Sequence, residues 1–435
     1  MEYFHSVRLD QEKCKGCTNC IKHCPTEAIR VREGKARIIQ ERCIDCGECI
    51  RICPNRAKIA VGDGLEKIRG YRYKVALPAP SIYAQFYPEV PVPRILGAFL
   101  ALGFDAVFEV ALAAEVVAAA TKDFLLKHRG PRPLISPACP AVVSLIQVRF
   151  PALVDQIAPL ETPMDAAARL ARSKAVAEMG LRPEEVGTFF ISPCPAKITA
   201  VRQPPTGLLS QVDGVLPLAA IYPDLLRASE TAREVDPVAG PRGVGWGVSG
   251  GENASIGLNR LLHVDGIHHV INVLEGVEKG EVTDIDYIEA QACPGGCVGG
   301  ALMVKNPFVA RQALTRALAS LELGPGYSPE ELEARVAEGE CQVAGRVKPR
   351  PALALDADLD NAIAKMKLLE DTLATLPGLD CGSCGSPNCR ALAEDIVRGQ
   401  AQDTDCVFRL RERVRILAEE VVELARKLPP SMAGK

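Results

Sequence analysis

The chain has 435 residues, 48% of them apolar, and a formal net charge of −3. That length allows about three domains, and the slightly acidic balance excludes a basic nucleic-acid binder. The longest apolar stretch, Ala106 to Ala120, is broken by Glu109 and Glu115 and falls short of a membrane span. The opening residues, MEYFHSVRLD, lack a signal-peptide core, so a cytoplasmic protein without a membrane segment is expected.

Seventeen cysteines stand against six histidines with no zinc-type spacing. A reducing compartment disfavours disulfides, and soft thiolates without histidine favour iron–sulfur clusters. The first element is a repeat. Cys14, Cys17, Cys20 and Cys24, followed by Pro25, recur as Cys43, Cys46, Cys49 and Cys53, followed by Pro54, each position shifted by 29. This is the bacterial ferredoxin run, in which the fourth cysteine serves the other cluster. One 4Fe–4S cluster therefore takes Cys14, Cys17, Cys20 and Cys53, and the other takes Cys43, Cys46, Cys49 and Cys24.

Strands are expected at Tyr73–Leu77 and Ala106–Val110, and helices at Leu112–Lys127 and Pro163–Met179. Thr162 is the N-cap of the latter, with Pro163 at N1. Short β-like runs also precede Cys139 (PRPLIS), Cys194 (GTFFIS) and Cys293 (IDYIEAQA). Alternating strands and helices imply an open, mainly parallel sheet, and such sheets bind ligands beyond the carboxyl ends of their strands. Cys139, Cys194, Cys293 and Cys297 are therefore read as one shared four-cysteine site. Gly245–Gly250 (GWGVSG) is formally G-x-G-x-x-G, but no strand precedes it, which argues against a dinucleotide site. Cys341 is left over as a free thiol.

A linker, Val347–Pro351, leads to a helix near Asp358–Leu376 and then to Cys381, Cys384, Cys389 and Cys406. From spacing alone zinc stays open there; resemblance to the small iron–sulfur domain of corrinoid iron–sulfur proteins favours a third 4Fe–4S cluster. Beyond it, Val414, Leu417, Val421, Leu424 and Leu428 step as a heptad seam. That seam suits either packing on its own domain or a homodimer.

Three stretches, SPACP (136–140), PCPAK (193–197) and ACPGGC (292–297), resemble the catalytic domain of the iron-only (FeFe) hydrogenases over about residues 70–325. The resemblance implies an H-cluster: a 4Fe–4S cubane on Cys139, Cys194, Cys293 and Cys297. The thiolate matching Cys297 would bridge it to a di-iron unit with CO, cyanide and azadithiolate. It also implies that Lys197 pairs with a cyanide, that Pro80 and Ser81 flank the dithiolate, and that Trp246 and Gly247 adjoin the di-iron unit. The implied substrates are H2 and protons, and maturation proteins are implied as partners.

Several positions depart from the family. Ala138 replaces its proton-relaying cysteine, and Ala120 and Thr121 stand where its relay glutamates align. Gln291 and Ser192 replace methionines, and Pro163–Met164 replaces a proline–glutamine pair. Glu115 and Asp123 are read as ordinary surface acids. Losing a positioned acid or base costs about 10²–10⁴-fold in rate, so slow turnover is expected. With the C-terminal cysteines, the pattern resembles the sensory hydrogenases that lack a PAS domain. A redox or signalling partner, such as a kinase or phosphatase, follows from that reading.

The expected architecture is α/β. It comprises a two-cluster ferredoxin module (1–68), a hydrogenase-like domain with mainly parallel sheets (69–325), and a linker with a small helical 4Fe–4S module and terminal helix (326–435). The competing readings are a metabolic hydrogenase with another proton path, and an iron–sulfur electron-transfer or assembly protein without the di-iron unit.

Overall fold

The computed structural model describes residues 3–319, 323–341, 343 and 345–427. Its strands, in chain order, are β1 (Val7–Leu9), β2 (Ile29–Arg32), β3 (Lys35–Ile38), β4 (Lys58–Ala60), β5 (Tyr73–Pro78), β6 (Ala106–Val107), β7 (Leu134–Ile135), β8 (Val186–Ser192), β9 (Gly214–Pro217), β10 (Leu261–Asp265) and β11 (Tyr287–Gln291). The chain forms two compact units. One comprises Met1–Arg8, Ile44–Arg51 and Lys58–Pro351; the other comprises Leu9–Cys43, Ile52–Ala57 and Ala352–Lys435.

The first unit is built on two parallel sheets rather than one. The larger has the order β6-β5-β8-β9, the smaller β10-β11-β7. β8, with the sequence VGTFFIS, is buried at every position, which is how a central parallel strand covered on both faces reads. Its register against β5 runs from Val186 opposite Tyr73 to Ile191 opposite Pro78. The two sheets end in the cysteine loops. β7 and β11 deliver Cys139 and Cys293, and β8 delivers Cys194.

Helix Pro163–Met179 starts as its sequence dictates: Thr162 Oγ1 accepts from Asp165 N, Pro163 occupies N1, and Gly180 closes it at φ 62°. The strand expected over Ala106–Val110 is only Ala106–Val107, and the helix starts at Val110. Glu109 explains the early stop. Its buried carboxylate accepts from Tyr83 Oη (2.8 Å), Val238 N (2.6 Å) and Ala239 N (3.1 Å), so the backbone there is drawn into the helix entry. Glu115, read as a surface acid, is also buried. It anchors Gly240 N and Tyr327 N at 2.8 Å each, a polar group that pays for burial with hydrogen bonds. Asp123 pairs with Lys127 across one helical turn. Gly245–Gly250 forms a single turn entered from helix Pro241–Val244, an arrangement without the strand a dinucleotide site needs.

The second unit contains the antiparallel pair β2–β3 and helices Leu359–Thr375, Cys389–Val397 and Val407–Arg426. Leu369, Leu376, Leu392 and Ala393 form a small core around Cys389 and Cys406. Helix Val407–Arg426 buries none of its residues, so its apolar stripe is not packed on its own domain. Leu428 of the seam lies outside the described residues. Among the described residues no helix is long and apolar enough to cross a membrane.

Candidate active site

Cys139 and Cys194 occupy equivalent places. Each is the N-cap of a helix, Pro140–Arg149 and Pro195–Arg202, with proline at N1. Proline lacks the N–H that would be orphaned at that position. Ser192 Oγ holds the second of these loops, donating to Cys194 O at 2.8 Å and accepting from Cys194 N at 3.3 Å. The Cys293–Cys297 loop turns on Gly296, at φ 97°. A Cβ there would lie 2.5 Å from Gln291 Oε1 and 2.6 Å from Ser249 N, so only glycine closes the loop.

The four thiols line one recess together with Lys197, Gln291 and Cys46 of the ferredoxin run. Burial pushes the Cys297 thiol up to about 12, and raises those of Cys194 and Cys293, with neighbouring thiolates adding to the shift. Several sulfurs gathered out of water need a cation to exist as thiolates, which is the requirement a metal cluster meets. Two fixed cations assist. For Lys197, burial opposes the charge, but the sulfurs of Cys297, Cys194 and Cys139 outweigh it and the pKa rises. Arg51 shows the same balance, with Cys293 as its largest favourable partner, and it donates to Gly299 O at 2.9 Å.

A second cavity adjoins the first through Cys139, Cys297, Lys197 and Gln291. Pro80, Ser81, Ala138, Trp246 and Gly247 line it, as do Pro163, Met164 and Glu252. Gly247 lets the Trp246 turn approach the Pro80–Ser81 loop: a Cβ there would meet Ser81 N at 3.1 Å. Lys197 Nζ donates to Ala138 O at 3.1 Å. Ser81 Oγ, Trp246 Nε1 and Gln291 Oε1 are buried and have no partner among the described residues. Three polar atoms around one cavity are what a bound group with acceptor and donor atoms satisfies. The residues present therefore fit a cubane with a second, ligand-rich unit beside it.

Glu252 was missed in the sequence reading. It lies in the short helix Gly251–Ile256, is 2% exposed, and receives hydrogen bonds from Ser136 Oγ (2.9 and 3.0 Å) and Tyr287 Oη (2.6 Å). The same Ser136 Oγ accepts from the Ala138 backbone N at 3.2 Å, so one hydroxyl links Glu252 to the Ala138 backbone. Burial first, then the charge of Glu289, raises Glu252 to about 8. Glu289 is fully buried, accepts from Gly250 N and Asn253 N, and is raised to about 7, chiefly by burial. It stands opposite the exposed His263 on the neighbouring strand. No motif marks Glu252 or Glu289; a glutamate inside an otherwise apolar strand, YIEAQ, was the one available signal. Ala120 and Thr121 do not line the cavity, and Thr121 Oγ1 is spent on Val117 O.

The ferredoxin segment of this unit reaches the recess directly. Gly47, at φ 77°, lies so close that a Cβ would fall 2.5 Å from Ala301 Cβ and 3.0 Å from Pro195 Cγ. Ser6 Oγ donates to Pro195 O at 2.8 Å, and His5 Nδ1 and Asp45 Oδ2 lie 2.7 Å apart. In the other unit lie Cys14, Cys17, Cys20, Cys24, Cys43 and Cys53, together with Cys381, Cys384, Cys389 and Cys406. Cys406 is the N-cap of the final helix. Cys341 is buried and its thiol is pushed up to about 12 by burial, in keeping with an unreactive thiol.

Thiols at the ends of parallel strands, a buried lysine and unpartnered polar atoms together fit an iron–sulfur site. Residues 72–223 and 243–301 match the family described as iron only hydrogenase large subunit, C-terminal domain. Residues 6–54 match a 4Fe-4S dicluster domain and 376–408 an Fe-S cluster domain. The central domain is thus similar to that of the iron-only hydrogenase large subunits. It is 24% identical over 385 residues to the periplasmic [Fe] hydrogenase large subunit of Nitratidesulfovibrio vulgaris, covering 74% of this chain and 91% of that one. With iron hydrogenase 1 of Clostridium pasteurianum it shares 24% over 255 residues, 48% of this chain and 44% of that one. A variant of [FeFe]-hydrogenase HydA1 from Chlamydomonas reinhardtii superposes with a TM-score of 0.52 at 14% identity, covering 64% of this chain and 95% of the other, a likeness of fold.

Proposed function

We propose that the chain is an iron-only hydrogenase of sensory type. Cys139, Cys194, Cys293 and Cys297 would hold the H-cluster cubane, with Cys297 as the bridge to a di-iron unit carrying CO, cyanide and azadithiolate. When bound, that group supplies the reversible conversion of H2 into two protons and two electrons. Lys197 then offers a fixed cation to a cyanide, and Ser81 and Trp246 offer hydrogen-bond donors. Glu252, protonated at neutral pH and tied through Ser136 to the Ala138 loop, supplies or takes the proton; Glu289 connects it toward His263 and the surface. Cys46, at the recess, begins the exit to two ferredoxin-type clusters, and a fourth cluster sits on Cys381, Cys384, Cys389 and Cys406.

The observation carrying this reading is the pairing of two adjoining cavities, one lined by four thiols and the other by Lys197 with three unpartnered polar atoms. Infrared spectroscopy of protein matured anaerobically with hydrogenase maturation proteins tests it. CO and cyanide stretches that shift under H2 are expected; protein with its iron–sulfur clusters but no such bands would mark an electron-transfer or assembly protein. The second reading, a metabolic hydrogenase, is favoured by Glu252, since that group offers a proton route in place of the thiol that Ala138 lacks. A turnover rate matching fast hydrogenases would decide for it.

A sensor needs an output surface, and the final helix fits. Val407, Leu410, Val414, Leu417, Val421 and Leu424 form one exposed 3-4 stripe, with Val at each a position and Leu at each d position. That choice favours two strands. The flanking positions place Arg413 and Glu420 against Ala418 and Ala425 of a parallel second copy, so like charges do not meet. The occupant is therefore a second copy of this chain, and light scattering should give a dimer that Leu417→Glu converts to monomer. A monomeric parent chain would sink this assignment.

A further inference from the structure

Within the second unit the C-terminal cysteine module is seated on the first ferredoxin segment by a buried charge cluster. Arg30, on β2, meets Asp395 with two bonds, Nε to Oδ2 at 2.6 Å and Nη2 to Oδ1 at 2.9 Å; these residues are 5% and 3% exposed. Arg32, two residues along the same strand, donates to Asp395 Oδ2 at 3.0 Å and to Ser386 Oγ at 3.1 Å. Its other nitrogen donates to Cys384 O at 2.8 Å, the carbonyl of a cluster ligand.

The contact is built in backbone as well as charge. Val31 N donates to Gly385 O at 2.8 Å, and a Cβ on Gly385, at φ 80°, would collide with the Val31 carbonyl. Lys22, two residues from both Cys20 and Cys24, donates to Pro387 O at 2.7 Å, and Asn388 Nδ2 donates to Glu27 Oε1 at 2.6 Å. Arg42 pairs with Glu394 beside them. The cysteine loop 381–389 is thus fixed against the segment that carries Cys14, Cys17, Cys20 and Cys24.

Two guanidiniums share one carboxylate here, leaving an excess positive charge against the loop. Buried ion clusters contribute little net stability, because desolvation offsets their attraction. They do set local potential, and cluster potentials respond to net charge and to hydrogen bonding around the sulfurs. We infer that Arg32 and Asp395 are positioning residues that join the C-terminal cluster to the ferredoxin segment as a fixed redox station and set its potential with opposite signs. Arg32 favours the reduced, more negative cluster; Asp395 favours the oxidised one. Each exchange moves one electron, oxidising a ferredoxin-type cluster and reducing the C-terminal cluster, with no bond made or broken. The inference rests on the C-terminal cysteines holding a 4Fe–4S cluster, and it is independent of the di-iron unit.

The test is a dye-mediated redox titration of the full chain followed by low-temperature electron paramagnetic resonance. The C-terminal signal is identified as the one that Cys406→Ala removes. Arg32→Met should shift its midpoint to more negative potential and Asp395→Asn to more positive potential, with iron content and the ferredoxin signals unchanged. Arg32→Lys should recover part of the shift, and it serves if Arg32→Met does not fold. Shifts of the same sign, or none, would overturn the inference. A parent chain with no signal lost in Cys406→Ala, and no iron lost, would instead overturn the cluster assignment beneath it.

Discussion

Glu252→Gln should lower H2 evolution and oxidation by about 10²–10⁴-fold, the usual contribution of a positioned acid or base. Glutamine keeps the size and the bonds from Ser136 Oγ and Tyr287 Oη, so the loss reports proton handling rather than packing. The pH profile carries the sign. Burial raises Glu252 from the ordinary 4.5 to about 8, so the acid form prevails at neutral pH and is lost as pH rises through about 8. Proton reduction should fall across that limb in the parent chain, and the limb should be absent in the variant.

Stability follows the same linkage: the neutral carboxyl's contribution is complete below 4.5 and is lost as pH rises through about 8. Denaturation midpoints of Glu252→Gln should therefore gain on the parent chain over that window. Ala138→Cys, placed in the Glu252→Gln background, should restore proton reduction in part, since a thiol there faces the same cavity. If Glu252→Gln leaves both rate and pH profile unchanged, the proton route is elsewhere.

Lys197→Met should prevent the chain from retaining the di-iron unit. The ammonium is held among Cys139, Cys194 and Cys297, and it is the cation available to a ligand anion in the second cavity. Removing one partner of a buried ion pair costs about 3–5 kcal/mol, which is a loss of binding on the order of a hundredfold or more. Infrared bands of CO and cyanide should be absent or strongly reduced in matured Lys197→Met, while iron and sulfide analysis shows the four-iron clusters in place. Bands of full intensity in that variant would remove Lys197 from the site.

The cysteine loops also explain how Cys46 comes to the central recess of the first unit. Cys46 lines the same recess as the four central thiols, and Gly47 permits the contact with Pro195 and Ala301 that puts it there. Arg51 and Lys197 hold two sides of that recess with positive charge. A charged frame of this kind lowers the cost of an anionic cluster in a dry interior.

The gathering of Cys139, Cys194, Cys293 and Cys297 in one recess was legible in the sequence because close spacing and short strands leave their own marks. The ferredoxin repeat, the strand-ending positions of Cys139, Cys194 and Cys293, and the Thr162 cap are all local, and each depends on a few consecutive residues. The hydrogenase resemblance was carried by three short loops for the same reason. What the sequence left open depended on distant partners. Two sheets rather than one, the burial of Glu115 beneath Gly240 and Tyr327, and the bare stripe of the last helix are decided by packing across long separations. Glu252 is the sharpest case. In the chain it is a glutamate in a glycine-rich turn; only folding brings it under Ser136 and Tyr287, where loss of water raises its pKa and turns an ordinary carboxylate into a neutral acid beside Ala138.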